Sequence, residues 1–171
     1  MPDIRPIIES LDLAPPRLRL LRGDRFFDPR RFKGVIDGKL QLQASFDDVS
    51  LAVHRDSTLV VDNVGELLPE IKLWCSWIEA LLPIKSSANL YCAAQEIGRF
   101  GAHSDQHDVL AIQLQGEKIW VFPNDLVSIG GGLTSTKVIL RAGDVLYVPE
   151  GVVHDVSATG VLSIHASLAL S

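Results

Sequence analysis

Residues 143–154 read GDVLYVPEGVVH, and this stretch decides the fold that the sequence predicts. The Gly-Asp pair at its start favours a turn, the apolar run that follows favours a strand, and Pro-Glu-Gly at 149–151 favours a tight bend. His154 then stands where the next strand begins. The pattern predicts two strands joined by a short bend, with a histidine just after the bend.

A second polar pattern lies earlier in the chain, in HSDQHDVLAI at 103–112. It places His103, Asp105 and His107 on alternate residues, directly before an apolar strand. Because a strand turns successive side chains to opposite faces, residues i, i+2 and i+4 share a face and would point inward together. Burying three polar groups is unfavourable unless something binds them. The pattern therefore predicts a binding site here.

The rest of the sequence predicts one long helix followed by many short strands. Residues 65–84, GELLPEIKLWCSWIEALLPI, have helical spacing, with Pro69 in the first turn and Pro83 at the end. A further helical segment is predicted at residues 7–13. Strands are predicted at 39–45, 57–63, 88–94, 109–115, 118–122, 137–140, 144–149, 152–158 and 162–170. Many short antiparallel strands are typical of a sandwich or barrel.

Length and composition favour one soluble domain over residues 1–171. No apolar run reaches the roughly 18 residues of a membrane helix, so no membrane partner is expected. The N-terminus carries early acids and has no continuous apolar core, which argues against a signal peptide and predicts a cytoplasmic location. Cys75 and Cys92 form no CxxC pair and are expected to be reduced thiols.

Charge is distributed unevenly along the chain. Residues 1–40 hold nine Lys and Arg against six Asp and Glu, a balance of +3, whereas residues 41–171 hold seven against fifteen, a balance of −8. An acidic partner or nucleic acid is one interpretation of the basic cluster. A solvated face with local ion pairs is the preferred one, so nucleic acid is not expected as a partner. The cluster comprises Arg17, Arg19, Arg22, Arg25, Arg30, Arg31 and Lys33.

The spacing G-x5-P-x-G-x2-H at 143–154 resembles the second motif of the cupins, which present metal ligands inside a double-stranded β-helix. The first cupin motif normally supplies HxH, and here it supplies HxD. The resemblance implies a mainly β fold with N-terminal helices, built on a cupin or jelly-roll barrel. It also implies a metal site of His103, Asp105 and His154. A two-histidine, one-carboxylate set is diagnostic of non-haem Fe(II) oxygenases.

A closer resemblance covers about residues 58–171, with a barrel core at 88–171 and residues 1–57 as an N-terminal arm with the first strands. NLYCAAQEIGRFGAHSDQHDVLAIQLQGEKIW is similar to the JmjC-type cupin subgroup that includes the ribosomal oxygenases. In that family a basic residue binds the distal carboxylate of 2-oxoglutarate, and an Asn and a Tyr line its pocket. These residues map to Lys118, Asn89 and Tyr91. An ordinary edge-strand lysine and a core tyrosine are the alternatives.

The terminal strand departs from the family pattern S-x-H-x-T-x-S. SIHASLA keeps Ser163 and His165, has Ser167 for threonine, and places Ala169 where the last serine would hydrogen-bond the co-substrate. Loss of that hydroxyl is expected to weaken binding by about 1 kcal/mol. The helical dimerisation and winged-helix regions of the larger ribosomal oxygenases are expected to be absent. A homo-oligomer, if formed, would therefore use another surface.

The resemblance implies an Fe(II)/2-oxoglutarate-dependent dioxygenase that hydroxylates a protein or peptide side chain. The loops QEIGRFGA and SIGGGLTS, at 95–102 and 128–135, are short and rich in Gly and Ser, which favours an open mouth and a polypeptide substrate. His107 is either a group at that mouth or a structural residue. Two other functions remain open: a metal cupin enzyme that acts on a small molecule without a co-substrate, and a non-enzymatic module that binds metal or a carboxylate.

Overall fold

The computed structural model describes the chain at residues 17–22, 25–27, 31–36, 39–43, 53, 55, 57–94, 101–127 and 133–171. The helix predicted at 7–13 and most of the two predicted rim loops lie outside these residues. The basic cluster is described in part. Arg17 pairs with Glu66, and Arg19 pairs with Asp62, with 2.7 Å between Nε and Oδ2. Such local ion pairs are what a solvated basic face predicts.

The structure is dominated by strands, as the sequence predicts. Within the described residues the strands are, in chain order, β1 Leu18–Arg22, β2 Arg25–Phe27, β3 Arg31–Ile36, β4 Lys39–Gln43, β5 Thr58–Val61, β6 Ser86–Ala93, β7 Asp108–Gln115, β8 Glu117–Val127, β9 Leu133–Arg141, β10 Val145–Val148, β11 Asp155–Ala158 and β12 Ser163–Leu170. The strands predicted from residue 88 onward are all present, with shifted ends. β1 to β3 were not predicted, because the arm mixes Pro, Arg and short apolar pieces.

Helix α1 spans Pro69–Leu81 and is shorter than the predicted 65–84. Residues Val64–Glu66 form a separate 3-10 turn. Proline is tolerated in the first turn because its missing N–H would have no partner there, and Pro69 occupies this position. The chain is already extended at Leu82, before Pro83. No helix among the described residues is long and apolar enough to cross a membrane.

The apolar residues of α1 cover more of its surface than the face that the helix buries. Ile71 is fully buried, and Trp74 and Ile78 pack against the same core. Leu73, Trp77, Leu81 and Leu82 are exposed large hydrophobic residues. Helical periodicity therefore predicted the element correctly but not how much of its surface the rest of the chain covers.

The described strands form an antiparallel barrel of two sheets and a separate hairpin. One sheet has seven strands in the order β10-β7-β12-β6-β5-β1-β2, the second has three in the order β11-β8-β9, and β3 pairs with β4. Consecutive strands β7 and β8 lie in different sheets, as do β10 and β11, so the chain alternates between the layers. This alternation is the double-stranded β-helix that the sequence predicts.

The two faces of the seven-stranded sheet have different surroundings. On β6, Leu90 and Cys92 belong to a core that also contains Ile71 of α1. The alternate residues Asn89 and Tyr91 line a cavity on the other face. Between the two sheets lies a second, smaller core made of Val109, Ala111, Trp120, Leu140 and Val148. The cavity thus lies inside the barrel, walled by both sheets.

Candidate metal centre

Two histidines distant in the sequence are joined through their backbones. His103 precedes β7, His154 precedes β11, and the two residues form an isolated antiparallel bridge. The N–H of His103 donates to the carbonyl of His154 at 2.9 Å, and the reverse bond measures 2.8 Å. The N–H of Gly151 donates to the carbonyl of Asp105 at 3.0 Å. These bonds hold the HxD segment against the Pro-Glu-Gly bend.

This bridge brings His103, Asp105 and His154 together. One ligand atom from each residue lies within 4.8 Å of the other two. Nε2 of His154 is 3.6 Å from Oδ2 of Asp105. His154 is buried, whereas Asp105 and His103 are half-buried. No other group of this kind was found among the described residues.

The backbone contacts of the two histidines favour the form that binds a metal. Nδ1 of His103 lies 2.8 Å from the carbonyl of Gly101, and Nδ1 of His154 lies 2.9 Å from the carbonyl of Val152. Because a carbonyl only accepts, each Nδ1 carries the proton and donates it. Each Nε2 of the neutral imidazole then keeps its lone pair. The donor set suits a first-row transition metal.

The cavity beside this group has a volume of about 240 Å³. Its walls include the three candidate ligands together with Asn89, Tyr91 and Lys118. The structure therefore brings together all six residues that the sequence named as site residues. His107 also lies on the wall, and its Nδ1 is 3.0 Å from the carbonyl of Asp108.

Lys118 is the cation of the cavity wall. It is 3% exposed, and none of the ion pairs among the described residues includes it. Burial lowers its pKa from 10.5 to about 8, and the nearby Cys92 opposes this shift. Burial raises the pKa of Cys92 itself to about 11, which keeps the thiol neutral. A buried lysine without a carboxylate partner fits an anionic ligand.

Asn89 and Tyr91 belong to a polar row beside the candidate ligands. Asn89 accepts a hydrogen bond from the N–H of Asn63 at 3.0 Å. Burial raises the pKa of Tyr91, whereas its side-chain hydrogen bond with Asn89 lowers it. The negative charge of Asp105 raises the same pKa further. Tyr91 therefore stays a neutral phenol, close to the candidate metal ligands.

Sequence reasoning missed the role of Asp108, which links the two motifs. Its Oδ1 accepts the N–H of Glu150 at 2.8 Å, and its Oδ2 accepts the hydroxyl of Tyr147 at 2.9 Å. The bond from Glu150, and then that from Tyr147, lower the pKa of Asp108. A short acidic side chain at a strand start is a common cap of neighbouring turns, but the sequence does not show which turn it reaches.

The fold and the side-chain arrangement define a cupin-type barrel with a two-histidine, one-carboxylate group on the wall of its cavity. The sequence profile of the JmjC domain matches residues 67–171, which is more than half of the chain. The chain belongs to the JmjC domain family.

Named relatives resemble part of this chain. The bifunctional lysine-specific demethylase and histidyl-hydroxylase NO66 of Dictyostelium discoideum is 31% identical over 109 residues, which cover 55% of this chain and 21% of that protein. NO66 of Drosophila willistoni is 27% identical over 106 residues, which cover 54% of this chain and 14% of that protein. This chain therefore spans a small part of the length of these relatives.

A solved structure shares the fold over nearly the whole chain. The ribosomal oxygenase YcfD of Escherichia coli, in complex with cobalt and succinic acid, superposes with a TM-score of 0.63. The match has 22% sequence identity and covers 91% of this chain and 39% of that one. A second YcfD structure, with cobalt and 2-oxoglutarate, gives a TM-score of 0.62. At this identity the similarity describes the fold.

Proposed function

We propose that this protein is an Fe(II)- and 2-oxoglutarate-dependent dioxygenase that hydroxylates a side chain of a protein or peptide. One observation carries the proposal: His103, Asp105 and His154 meet at the edge of a cavity whose wall holds Lys118, a buried cation without a described carboxylate partner. Membership of the JmjC domain family supports it, as do relatives named as hydroxylases and a ribosomal oxygenase with the same fold.

In this proposal the three ligands come from this chain. His103 and His154 offer Nε2 because their Nδ1 protons are held by backbone carbonyls, and Asp105 offers a carboxylate oxygen. These three residues would hold the ion and leave room on it for a co-substrate. Bound iron with 2-oxoglutarate and dioxygen supplies the oxidation, in which the target gains one oxygen atom and the co-substrate yields succinate and carbon dioxide.

The co-substrate is oriented by residues on both sheets. Lys118 on β8 binds the distal carboxylate, while Asn89 and Tyr91 on β6 line the opposite wall. Because the phenol of Tyr91 and the thiol of Cys92 stay neutral, neither adds a negative charge that would repel a dicarboxylate. Ala169 lies on the wall as well and offers no hydroxyl there. The bound anion would also raise the pKa of Lys118 and so keep its amine fully protonated.

The substrate part of the proposal rests on charge and on the family. Residues 41–171 carry a net charge of −8, which favours a basic or neutral polypeptide segment as the target. The open mouth stays a prediction, since most of both rim loops lies outside the described residues. A single domain over 1–171, a cytoplasmic location and the absence of a nucleic-acid partner belong to the same proposal.

The test begins with binding and continues to turnover. Under anaerobic conditions the full chain is titrated with Fe(II) and then 2-oxoglutarate, after which oxygen and a peptide library from cells are added. We expect succinate formation that depends on 2-oxoglutarate, and peptides heavier by one oxygen in mass spectrometry. Asp105→Ala should lose metal binding, while Glu70→Ala, which removes an exposed carboxylate on α1, should keep it.

Other outcomes would support the other functions. Turnover of free small molecules without 2-oxoglutarate would indicate a metal cupin enzyme of another kind. Metal binding with no turnover of any substrate would indicate a binding module. Lys118→Ala tests the role of Lys118 independently of these two alternatives. Loss of its charge-assisted hydrogen bond should raise the 2-oxoglutarate concentration required for turnover by at least about tenfold.

A further inference from the structure

Helix α1 carries a row of exposed apolar side chains, which we call the apolar stripe. It consists of Leu73, Trp77 and Leu81, which are four residues apart and therefore lie one above the other on the helix. Trp77 is 58% exposed and Leu81 is 82% exposed. Leu82, directly after the helix, adds another exposed apolar residue. Large apolar side chains that cluster on a surface indicate a site of protein–protein contact.

The stripe is separate from the face of α1 that packs against its own chain. Ile71, Trp74 and Ile78 form that face and contact the core on the outer side of the seven-stranded sheet. On the other flank of the stripe lie Ser76 and Ala80, which are exposed and small. No long side chain of the helix therefore covers the stripe, and its apolar character has no role in the packing of α1.

The stripe reads the same in both directions along the helix. Leu73 stands four residues before Trp77, and Leu81 stands four residues after it. If a second copy of α1 lies antiparallel on the first, Leu73 of each copy meets Leu81 of the other, and the two Trp77 rings meet at the axis. A two-fold interface requires a patch that complements itself in this way. The stripe therefore fits a second copy of this chain.

The charges at the ends of the stripe favour the same arrangement. Glu70 lies seven residues before Trp77, Lys85 lies eight residues after it, and both are exposed. Neither forms an ion pair among the described residues. In the antiparallel arrangement Glu70 of each copy faces Lys85 of the other, whereas a parallel arrangement would bring like charges together. Such pairs determine the orientation of the partners more than their affinity.

The area of the stripe is compatible with a dimer. A stable interface buries about 800 Å² on each partner. The exposed parts of Leu73, Trp77, Leu81 and Leu82 supply roughly half of this area as an apolar centre. The polar rim that surrounds such a centre would come from exposed neighbours such as Glu70, Lys72, Ser76 and Lys85.

We propose that α1 is a dimer interface, in which two copies of this chain pack antiparallel through Leu73, Trp77 and Leu81 about a two-fold axis at Trp77. Helix α1 lies on the outer side of the seven-stranded sheet, whereas the cavity lies on the opposite face of that sheet. The cavity of each copy therefore stays open in the dimer. The inference does not depend on the proposed function.

Sedimentation velocity of the full chain over a wide range of concentrations measures the dimer directly. We expect a monomer–dimer equilibrium. Trp77→Ala should raise the dissociation constant at least about thirtyfold, because a tryptophan at the centre of an interface typically carries much of the binding energy. Leu81→Glu should leave a monomer at every concentration. Both residues are exposed, so the thermal unfolding midpoint should change little in either variant.

Val161→Glu is the matched control for Leu81→Glu. Val161 is also an exposed apolar residue, 57% accessible, but it lies in the turn between β11 and β12. The dissociation constant of this variant should stay within about twofold of that of the unchanged protein.

Charge reversal tests the antiparallel orientation. Glu70→Lys or Lys85→Glu alone should weaken the dimer about fivefold, because each places like charges at both ends of the interface. The two changes in one chain should restore the original dissociation constant. A general loss of apolar contact would not show this rescue.

Three results would overturn the proposal. The first is a full chain that stays monomeric at every concentration, which would leave the stripe to a different partner. The second is a dimer that Val161→Glu weakens as much as Leu81→Glu does. The third is a double charge reversal that restores nothing, because the two copies would then not be antiparallel.

Discussion

Lys118 is both buried and positively charged, a combination that is unfavourable in the free protein and favourable once an anion is bound. Its side chain is buried with no ion-pair partner among the described residues, and burial lowers its pKa to about 8. The unfolded chain has the ordinary lysine pKa of 10.5. Since the unfolded state holds the proton more tightly, the charged lysine destabilises the fold at neutral pH. A binding residue of this kind is expected to lower the stability of the free protein while it enables ligand binding.

Lys118→Met tests this residue directly. At pH 7 and without ligand, the variant should have a higher free energy of unfolding, by up to about 3 kcal/mol. The difference should fade as the pH rises from about 8 to 10.5, because the unfolded chain then loses the proton as well. Urea denaturation at several pH values measures both effects. The same variant should lose 2-oxoglutarate binding.

Lys137→Met is the matched control, because Lys137 is an exposed lysine on β9. It should change neither the free energy of unfolding nor co-substrate binding. A Lys118→Met protein that is less stable than the unchanged protein at pH 7 would mean that Lys118 already has a partner in the ligand-free state.

At the scale of the element, the bend at 149–151 holds one candidate ligand against the segment that holds the other two. The N–H of Gly151 bonds to the carbonyl of Asp105, and the side chain of Asp108 accepts the N–H of Glu150. Neither bond involves a candidate ligand atom, yet both restrain the distance between the ligand segments. Mutation of residues that orient metal ligands typically weakens metal binding by about 10–100-fold.

Asp108→Ala should therefore weaken Co(II) binding by about tenfold, measured by calorimetry. Tyr147→Phe removes one of the two bonds to the carboxylate and leaves the bond from Glu150, so its effect should be smaller. Unchanged affinity in Asp108→Ala would show that the His103–His154 bridge alone is sufficient to hold the site.

A second prediction at this scale concerns the turn between β7 and β8. Gly116 has a φ of +64°, and a Cβ built there would lie 2.3 Å from the carbonyl oxygen of Leu162. Gly116→Ala combines backbone strain with a collision against backbone, and should lower the free energy of unfolding by at least about 2 kcal/mol. In the control Gly160→Ala, φ is +90° and no atom lies within 4 Å, so only the backbone strain remains. Equal losses in thermal or urea unfolding would contradict this account.

At the scale of the whole molecule, the candidate metal centre connects two layers of the barrel. Asp105 and His103 precede β7 of the seven-stranded sheet, whereas His154 precedes β11 of the three-stranded sheet. An ion bound to all three would link the two sheets beside the cavity. Binding to the folded state alone stabilises it in proportion to the logarithm of the ligand concentration.

Co(II) at about 100 times its dissociation constant should thus add about 2.7 kcal/mol, which raises the unfolding midpoint by roughly 5–10 °C in a chain of this size. Thermal unfolding with and without a chelator measures the shift. His154→Ala should abolish it, and Mg(II) should not produce it, because imidazole ligands suit transition metals. An equal shift with Mg(II) would point to a different site.

Much of the fold and the list of candidate site residues followed from the sequence. The strand of Asn89 and Tyr91 and the helix after Pro69 were predicted, because side-chain direction along a strand or helix depends on local geometry. His103 and Asp105 were named from the HxD spacing, but the strand alternation expected for them is wrong, because both residues lie before β7. His154 was found through its spacing after Pro149 and Gly151 and through the family resemblance.

The tertiary structure alone decided how these parts meet. The His103–His154 bridge, the link from Asp108 to Glu150, and the buried unpartnered nitrogens of Trp120 and His165 appear only there. The exposure of Trp77 on α1 is likewise visible only in the folded chain. Local periodicity sets the face on which a side chain lies. Which residues that face contacts depends on packing between segments that are distant in the sequence. A sequence pattern contains no information on the spatial distance between such segments.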